Sequence, residues 1–317
     1  MNGLMLYRCG ELLPVPPALF QEKTTLQTIG LLFNPISGSG RSRRRAEKLA
    51  EFMQSRGLRT KLRESQAHYA PGVLSEFLRS IDAVIVIGGD GTIRALLGDL
   101  ADSGTPVYLV PGGNESLFAK HFGMQRDPAS ILAAIQQGRT AEAAFAQFND
   151  DFFFTMLSVG LDSLVVSKIA QTRSGPIGHI GYVKPTLQSL AGFESPRLRV
   201  EVDGSVLAND EPGFLIVANT NQYARNIRLV PEACGTKTLL HIRFFPYRGL
   251  CNYLPWLWSL ALSRPVSLKH SRYAQGSTCH IETTHGLPWP IQADGDYVAD
   301  TPIKVCAIAK RIKVVLP

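Results

Sequence analysis

Apolar and polar positions along this chain follow two regimes. From residue 28 to about 148, short apolar runs alternate with segments whose apolar residues recur every three or four positions. Ile29–Phe33, Leu58–Leu62, Ala83–Ile87 and Val107–Val110 read as strands. Between them, Ser42–Arg56, Pro71–Arg79 and Ile93–Ala101 read as helices, the first keeping Ala46, Leu49, Ala50 and Met53 at helical spacing. A further helix is punctuated by Asp127 as its cap, Pro128 in its first turn and Gly138 at its stop. This alternation predicts a Rossmann-like α/β domain with a parallel sheet covered on both faces.

After about Asp150 the rhythm changes. Phe152–Val159, Arg197–Val202, Gly213–Asn219, Leu239–Phe245, Thr278–Thr283 and Pro288–Ala293 read as strands. Asp203-Gly204 and Asp294-Gly295 are hairpin turn signals. This half reads as an antiparallel β-sandwich with inserted helices. The expected organisation is an N-terminal arm over 1–27, a nucleotide-binding α/β domain over 28–148 and a β-sandwich domain over 149–317. The last strand of the chain is a candidate to return to the region between the domains.

Length and composition agree with two folded domains: 317 residues, 45% hydrophobic and 19% charged. The net charge of +7 suits anionic phosphates or an anionic membrane surface. Nucleic acid is the weaker partner class, because no finger, basic zipper or RNA-binding signature is present. Five scattered cysteines and seven histidines show no metal-ligand spacing, so reduced thiols and a cytoplasmic location are expected. Met1–Gln27 lacks a basic start followed by an apolar run, which argues against a signal peptide. No segment reaches the roughly 20 apolar residues of a membrane span. Tyr253, Trp256, Leu257 and Trp258 suggest a helix whose apolar side chains serve core packing or, alternatively, membrane contact.

The candidate chemistry sits at strand ends. Gly88-Gly89-Asp90-Gly91-Thr92 follows an apolar run and opens a helical segment. Glycines let a backbone approach a polyphosphate, and a helix start offers unpaired N–H groups. Asp90 would repel a bare phosphate, which implies a bridging cation or proton transfer. A tight strand-to-helix turn is the alternative reading. Asn34-Pro35-Ile36-Ser37-Gly38-Ser39-Gly40 is a second such turn after Leu31-Leu32-Phe33. Ligands of open α/β sheets collect beyond strand C-terminal ends, so two loops suggest one nucleotide site.

Together, Asn34-Pro35-x-Ser37-Gly38 and Gly88-Gly89-Asp90-Gly91-Thr92 resemble the diacylglycerol kinase catalytic superfamily. The likeness extends through Ala218-Asn219, Pro231-Glu232-Ala233 and Asp294-Gly295-Asp296. It implies ATP and Mg2+ as cofactors, a lipid hydroxyl as acceptor and an active site in the cleft between the domains. It also implies Asn34, Pro35, Ser37, Gly38 and Gly88–Thr92 as nucleotide contacts. Asp90 would help hold magnesium through Mg–ATP. Asp296 matches the family's proton acceptor, a glutamate shortened here by one carbon–carbon bond, roughly 1.5 Å; Asp294 is the rival base. Without the likeness, Asp-Gly-Asp is also an ordinary hairpin tip.

Pro111-Gly112-Gly113-Asn114-Glu115-Ser116-Leu117-Phe118-Ala119 is similar to a third motif, with Gly113, Asn114 and Ser116 as nucleotide contacts. Here Asn114 replaces a threonine, Ser116 an asparagine and Leu117 an aspartate. Asp162 matches a family Gly-x-Asp position. Lys237 stands where bacterial relatives carry an acidic ligand to a structural magnesium, so that site is expected to be absent. The expected protein is a lipid kinase, cytoplasmic and peripheral at the membrane, with a lipid substrate and a transient membrane surface as partners. Its oligomeric state stays open, a homodimer included. The rivals are a lipid-binding or regulatory pseudokinase and, less favoured, a NAD kinase.

Overall fold

A computed structural model describes residues 5–8, 11–14, 26–35, 41–66, 72–112, 116–172, 186, 188–189, 193–221, 228–247, 249 and 267–317. The chain divides into two compact units, Met1–Ala144 with Lys310–Pro317, and Phe145–Ala309.

The first unit opens with a hairpin of β1 (Met5–Arg8) and β2 (Glu11–Pro14), inside the segment expected to be an arm. Its main sheet contains β3 (Thr28–Phe33), β4 (Arg59–Glu64), β5 (Ala83–Gly88) and β6 (Val107–Pro111). All are parallel, in the order β6-β5-β3-β4. β5 and β6 are buried throughout, whereas edge strand β4 is largely exposed. α1 (Ser42–Gln54) buries the predicted stripe of Ala46, Leu49, Ala50 and Met53. α2 (Ser75–Arg79) is shorter than its sequence pattern, and Pro71 lies outside the described residues. The helix expected over Ile93–Ala101 instead begins at Asp90 and is split, as α3 (Asp90–Arg94) and α4 (Leu97–Ser103). α5 (Leu117–His121) comes next, and α6 (Pro128–Gln137) starts at Asp127, whose carboxylate accepts the Ser130 N–H at 2.9 Å. Gly138 ends it with φ of 61°, in the left-handed region a glycine enters without strain.

β7 (Thr140–Phe148) runs across the unit boundary. In the second unit the strand expected over Phe152–Val159 is broken into β8 (Asp151–Phe153) and β9 (Met156–Val159). α7 (Leu161–Thr172) and β10 (Arg197–Val202) come after it. β11 (Ser205–Ala218) is twice as long as its apolar core suggests. Its first half pairs β10, and its second half pairs β9 and β12 (Leu240–Pro246). The remaining strands are β13 (Arg272–Gly276), β14 (Thr278–Thr283), β15 (Pro290–Ala293), β16 (Asp296–Asp300) and β17 (Ile303–Val315).

Two antiparallel sheets result: β11-β10-β14-β17 on one side, and β16-β15-β9-β11-β12-β13 on the other. Their inward side chains form one core, including Val200, Leu157, Leu215, Ile242, Ile281, Ile291 and Val305. A second apolar layer, with Phe214, Ile216, Leu229 and Val230, covers the other face of the second sheet. The sandwich expected from sequence is therefore present. The final eight residues of the chain, Lys310–Pro317, belong to the first unit, where Val314 pairs with Val107.

Candidate functional site

The glycine loop of the first unit grows from sterics. β5 delivers Gly88 to a place where a Cβ would lie 2.6 Å from Thr92 Oγ1 and 2.8 Å from Thr92 Cβ, so no side chain fits. The Gly112 N–H donates to Gly88 O at 2.6 Å, which brings the ends of β5 and β6 together. A Cβ on Gly89 would meet nothing within 4 Å. Among the described residues, nothing packs against the place of a Gly89 side chain. Gly89 caps α3, whose Thr92 and Ile93 N–H groups donate to Gly89 O at 3.0 and 3.2 Å.

The first loop joins the second through side chains. Asn34 Nδ2 donates to Thr92 Oγ1 at 3.3 Å, and the Asn34 N–H donates to Ile87 O at 3.2 Å. Ser42, the first residue of α1, donates its hydroxyl to Asn34 O. Asp90 has a use that sequence did not reveal. Its carboxylate accepts the N–H of Leu117 at 2.8 Å and of Phe118 at 3.0 Å. Asp90 thus caps α5, whose preceding residue, the buried Ser116, makes no side-chain cap. Burial pushes the imidazole of His121, at the far end of α5, down to about 4, which leaves it neutral near pH 7.

Asn34, Pro35, Gly88–Thr92 and Ser116 accordingly gather at the C-terminal ends of β3, β5 and β6. Ser37, Gly38, Gly113 and Asn114 lie outside the described residues, as does the segment with Tyr253, Trp256, Leu257 and Trp258. Among the described residues no group of three or more histidine, cysteine, aspartate or glutamate side chains could hold a metal ion.

The acidic turn of the second unit separates its two carboxylates. Asp294 and Gly295 take φ of 50° and 88° and join β15 to β16 in a two-residue hairpin. Asp294 is engaged by backbone donors. Its oxygens accept the N–H groups of Phe154 at 2.7 Å, Thr155 at 2.7 Å and Met156 at 3.1 Å. This grip explains the break between β8 and β9, since those N–H groups serve Asp294 instead of a strand ladder. The geometry gives Asp294 a structural task, against its candidacy as a base. Asn219 holds the same break from another side, donating Nδ2 to Phe154 O at 2.7 Å. Asp296 is half-exposed at the first position of β16.

Residues that the sequence did not single out fill the space behind this turn. Gln292 is buried on β15, and its Oε1 accepts the Gly295 N–H at 2.9 Å. Its Nε2 donates to Ser158 Oγ at 2.6 Å, and Ser158 donates to Asp162 Oδ2 at 2.5 Å. The available signal was a polar residue inside an apolar strand run, on the face opposite Ile291 and Ala293. Asp162, which matches the family's Gly-x-Asp position, sits in the first turn of α7 and also accepts the Ser163 N–H at 2.7 Å. In the Pro231-Glu232-Ala233 segment, Glu232 forms an ion pair with the buried Arg243, whose Nη1 donates to Ser271 Oγ at 2.9 Å. Lys237 is exposed.

Comparison with known proteins gives these features a context. The profile described as "Diacylglycerol kinase catalytic domain" matches residues 28–148. The profile described as "YegS C-terminal NAD kinase beta sandwich-like domain" matches residues 155–316. A diacylglycerol kinase of Mycobacterium tuberculosis (strain CDC 1551 / Oshkosh) is 25% identical over 294 residues, covering 90% of this chain and 94% of its own length. A diacylglycerol kinase of Bacillus subtilis (strain 168) is 20% identical over 294 residues, covering 90% and 95%. A crystal structure described as a diacylglycerol kinase from Bacillus anthracis str. Sterne has a TM-score of 0.65 at 17% identity, covering 93% of this chain and 98% of that one. That likeness concerns the fold.

Proposed function

The chain belongs to the diacylglycerol kinase catalytic-domain family of lipid kinases, and from that premise we propose that it transfers the γ-phosphoryl group of ATP to a lipid hydroxyl such as that of a diacylglycerol. The observation that carries the reading is the division of labour in Asp294-Gly295-Asp296. Asp294 is held by three backbone N–H groups, and the half-exposed Asp296 supplies the carboxylate that takes the acceptor's proton. The glycine loop Gly88–Thr92, at the C-terminal end of β5, suits nucleotide phosphates, with Asn34 bonded to Thr92 fixing the loop's shape.

The role of Asp90 is recast by its contacts. Its carboxylate holds α5 against the glycine loop, so we assign it first to positioning. Magnesium enters this reading as the companion of ATP phosphates. Membrane contact is transient and serves access to the lipid; no described helix is long and apolar enough to cross a membrane.

The test is transfer of labelled γ-phosphate from ATP to vesicles of diacylglycerol, to a sphingoid base and to NAD. The expected result is label on a lipid hydroxyl and none on NAD. Asp296→Asn should lower turnover by about 100-fold or more, with the KM for ATP changed by less than about twofold. Label on NAD would favour the NAD kinase reading. Lipid binding without transfer would favour the pseudokinase reading, for which the shortened base at position 296 is the supporting observation.

A further inference from the structure

We propose that Gln292 is a positioning residue for Asp296, acting through a buried hydrogen-bond chain anchored on Ser158 and Asp162; the inference rests on the reading of Asp296 as the base. The chain has a forced direction. Ser158 has one hydroxyl proton, and it goes to Asp162 Oδ2 at 2.5 Å. The Ser158 oxygen then accepts, and Gln292 Nε2 supplies the proton at 2.6 Å, with Asp162 Oδ2 at 3.5 Å from the same nitrogen. With its NH2 group committed, Gln292 presents Oε1 to the Gly295 N–H at 2.9 Å. A flipped amide would set donor against donor at Gly295 and acceptor against acceptor at Ser158. Ser158 is 0% exposed and Gln292 4%, so water does not compete for these bonds.

The hairpin itself does not require this chain, and the molecule contains the control. Asp203-Gly204 forms the same two-residue turn, with φ of 47° and 80°. In both turns the residues before and after pair across it, Val202 with Ser205 and Ala293 with Asp296. The position matching Gln292 is Glu201, and it turns to Arg199, accepting Nε at 2.9 Å. The Asp-Gly turn is thus built without a side chain gripping its glycine. At Gly295 the grip holds the Asp294–Gly295 peptide, one residue before Asp296, and so limits how the backbone entering β16 can shift. A base must lie within hydrogen-bond reach of its proton, and an aspartate has little length with which to correct a misplaced backbone.

The test compares Gln292→Met, which keeps the length but neither the acceptor nor the donor, in two backgrounds. With Asp296 present, turnover should fall roughly tenfold while the KM for ATP stays within about twofold. With Asp296→Asn present, Gln292→Met should cause no further loss of the residual turnover, because the residue it positions is already gone. A merely structural role would lower both backgrounds alike, and that result overturns the inference. Wild-type turnover in Gln292→Met beside an impaired Asp296→Asn overturns it as well, leaving the base reading intact. Wild-type turnover in Asp296→Asn removes the base reading and the inference with it. If Gln292→Met fails to fold, Ser158→Ala carries the same comparison one link away, with the same pattern expected and the same patterns excluding it.

Discussion

Asp203-Gly204 and Asp294-Gly295 are the same turn used twice. In each, the aspartate N–H donates to the carbonyl of the first residue of a neighbouring strand, Thr278 at 3.1 Å and Met156 at 3.0 Å. In each, the carboxylate accepts N–H groups around that same residue: Ser277 and Thr278 for Asp203, and Phe154, Thr155 and Met156 for Asp294. The differences lie in exposure and in the residue after the glycine. Asp203 is exposed and its turn leads into Ser205, whereas Asp294 is half-buried and its turn leads into Asp296. The pair teaches that the first aspartate of Asp-Gly-Asp locks a turn onto a strand start. After the glycine the two turns differ in what they present, Ser205 in one and Asp296 in the other.

The largest effect that would sharpen this contrast is the loss of the charge at Asp294. In Asp294→Asn an amide nitrogen would face backbone N–H donors that a carboxylate now accepts. Hydrogen bonds to charged groups contribute about 1.5–3 kcal/mol each, and the loss of one or two should lower Tm by roughly 5–10 °C. Calorimetry checks this, and a Tm within about 1 °C of wild type would break the equivalence of the two turns.

Asp203→Asn makes the same change where water can replace the lost partners. Its drop in Tm should be clearly smaller than that of Asp294→Asn, and turnover should stay at the wild-type level because Ser205 carries no chemistry. A loss of turnover without a loss of stability would show that the first turn also serves the site.

The smallest effect is one of pH. The backbone N–H of Ser277, followed by the N–H and hydroxyl of Thr278, holds the Asp203 carboxyl below its ordinary value of 3.8. The folded state therefore binds this proton less readily than the unfolded state. The contribution is complete above about pH 4 and fades as pH falls through 3.8 and below. Acid unfolding of Asp203→Asn should show a slightly shallower loss of stability in that window than wild type. An identical acid limb would remove Asp203 from the acid response.

The alternating first half, the β-sandwich and the turn at Gly88 were legible because each has a local cause. Buried parallel strands are continuous apolar runs, Gly88 is forced by its neighbour Thr92, and Asp-Gly suits left-handed turn angles. β7, β13 and β16 were not legible. Their sequences, such as Thr-Ala-Glu-Ala-Ala-Phe-Ala-Gln-Phe over Thr140–Phe148, carry weak strand preference, and pairing partners decide their state.

The sequence by itself determined where glycines, turns and candidate acids stand along the chain. Only the tertiary structure decided what each acid does. Asp90 meets the N–H groups of Leu117 and Phe118, and Asp294 meets Phe154 from 140 positions away. Gln292 reaches Ser158 across 134 positions. A carboxylate accepts protons from backbone, metal-bound or substrate donors alike, and contacts between residues so far apart leave no periodic trace. Which donor reaches it depends on the strands that folding brings alongside.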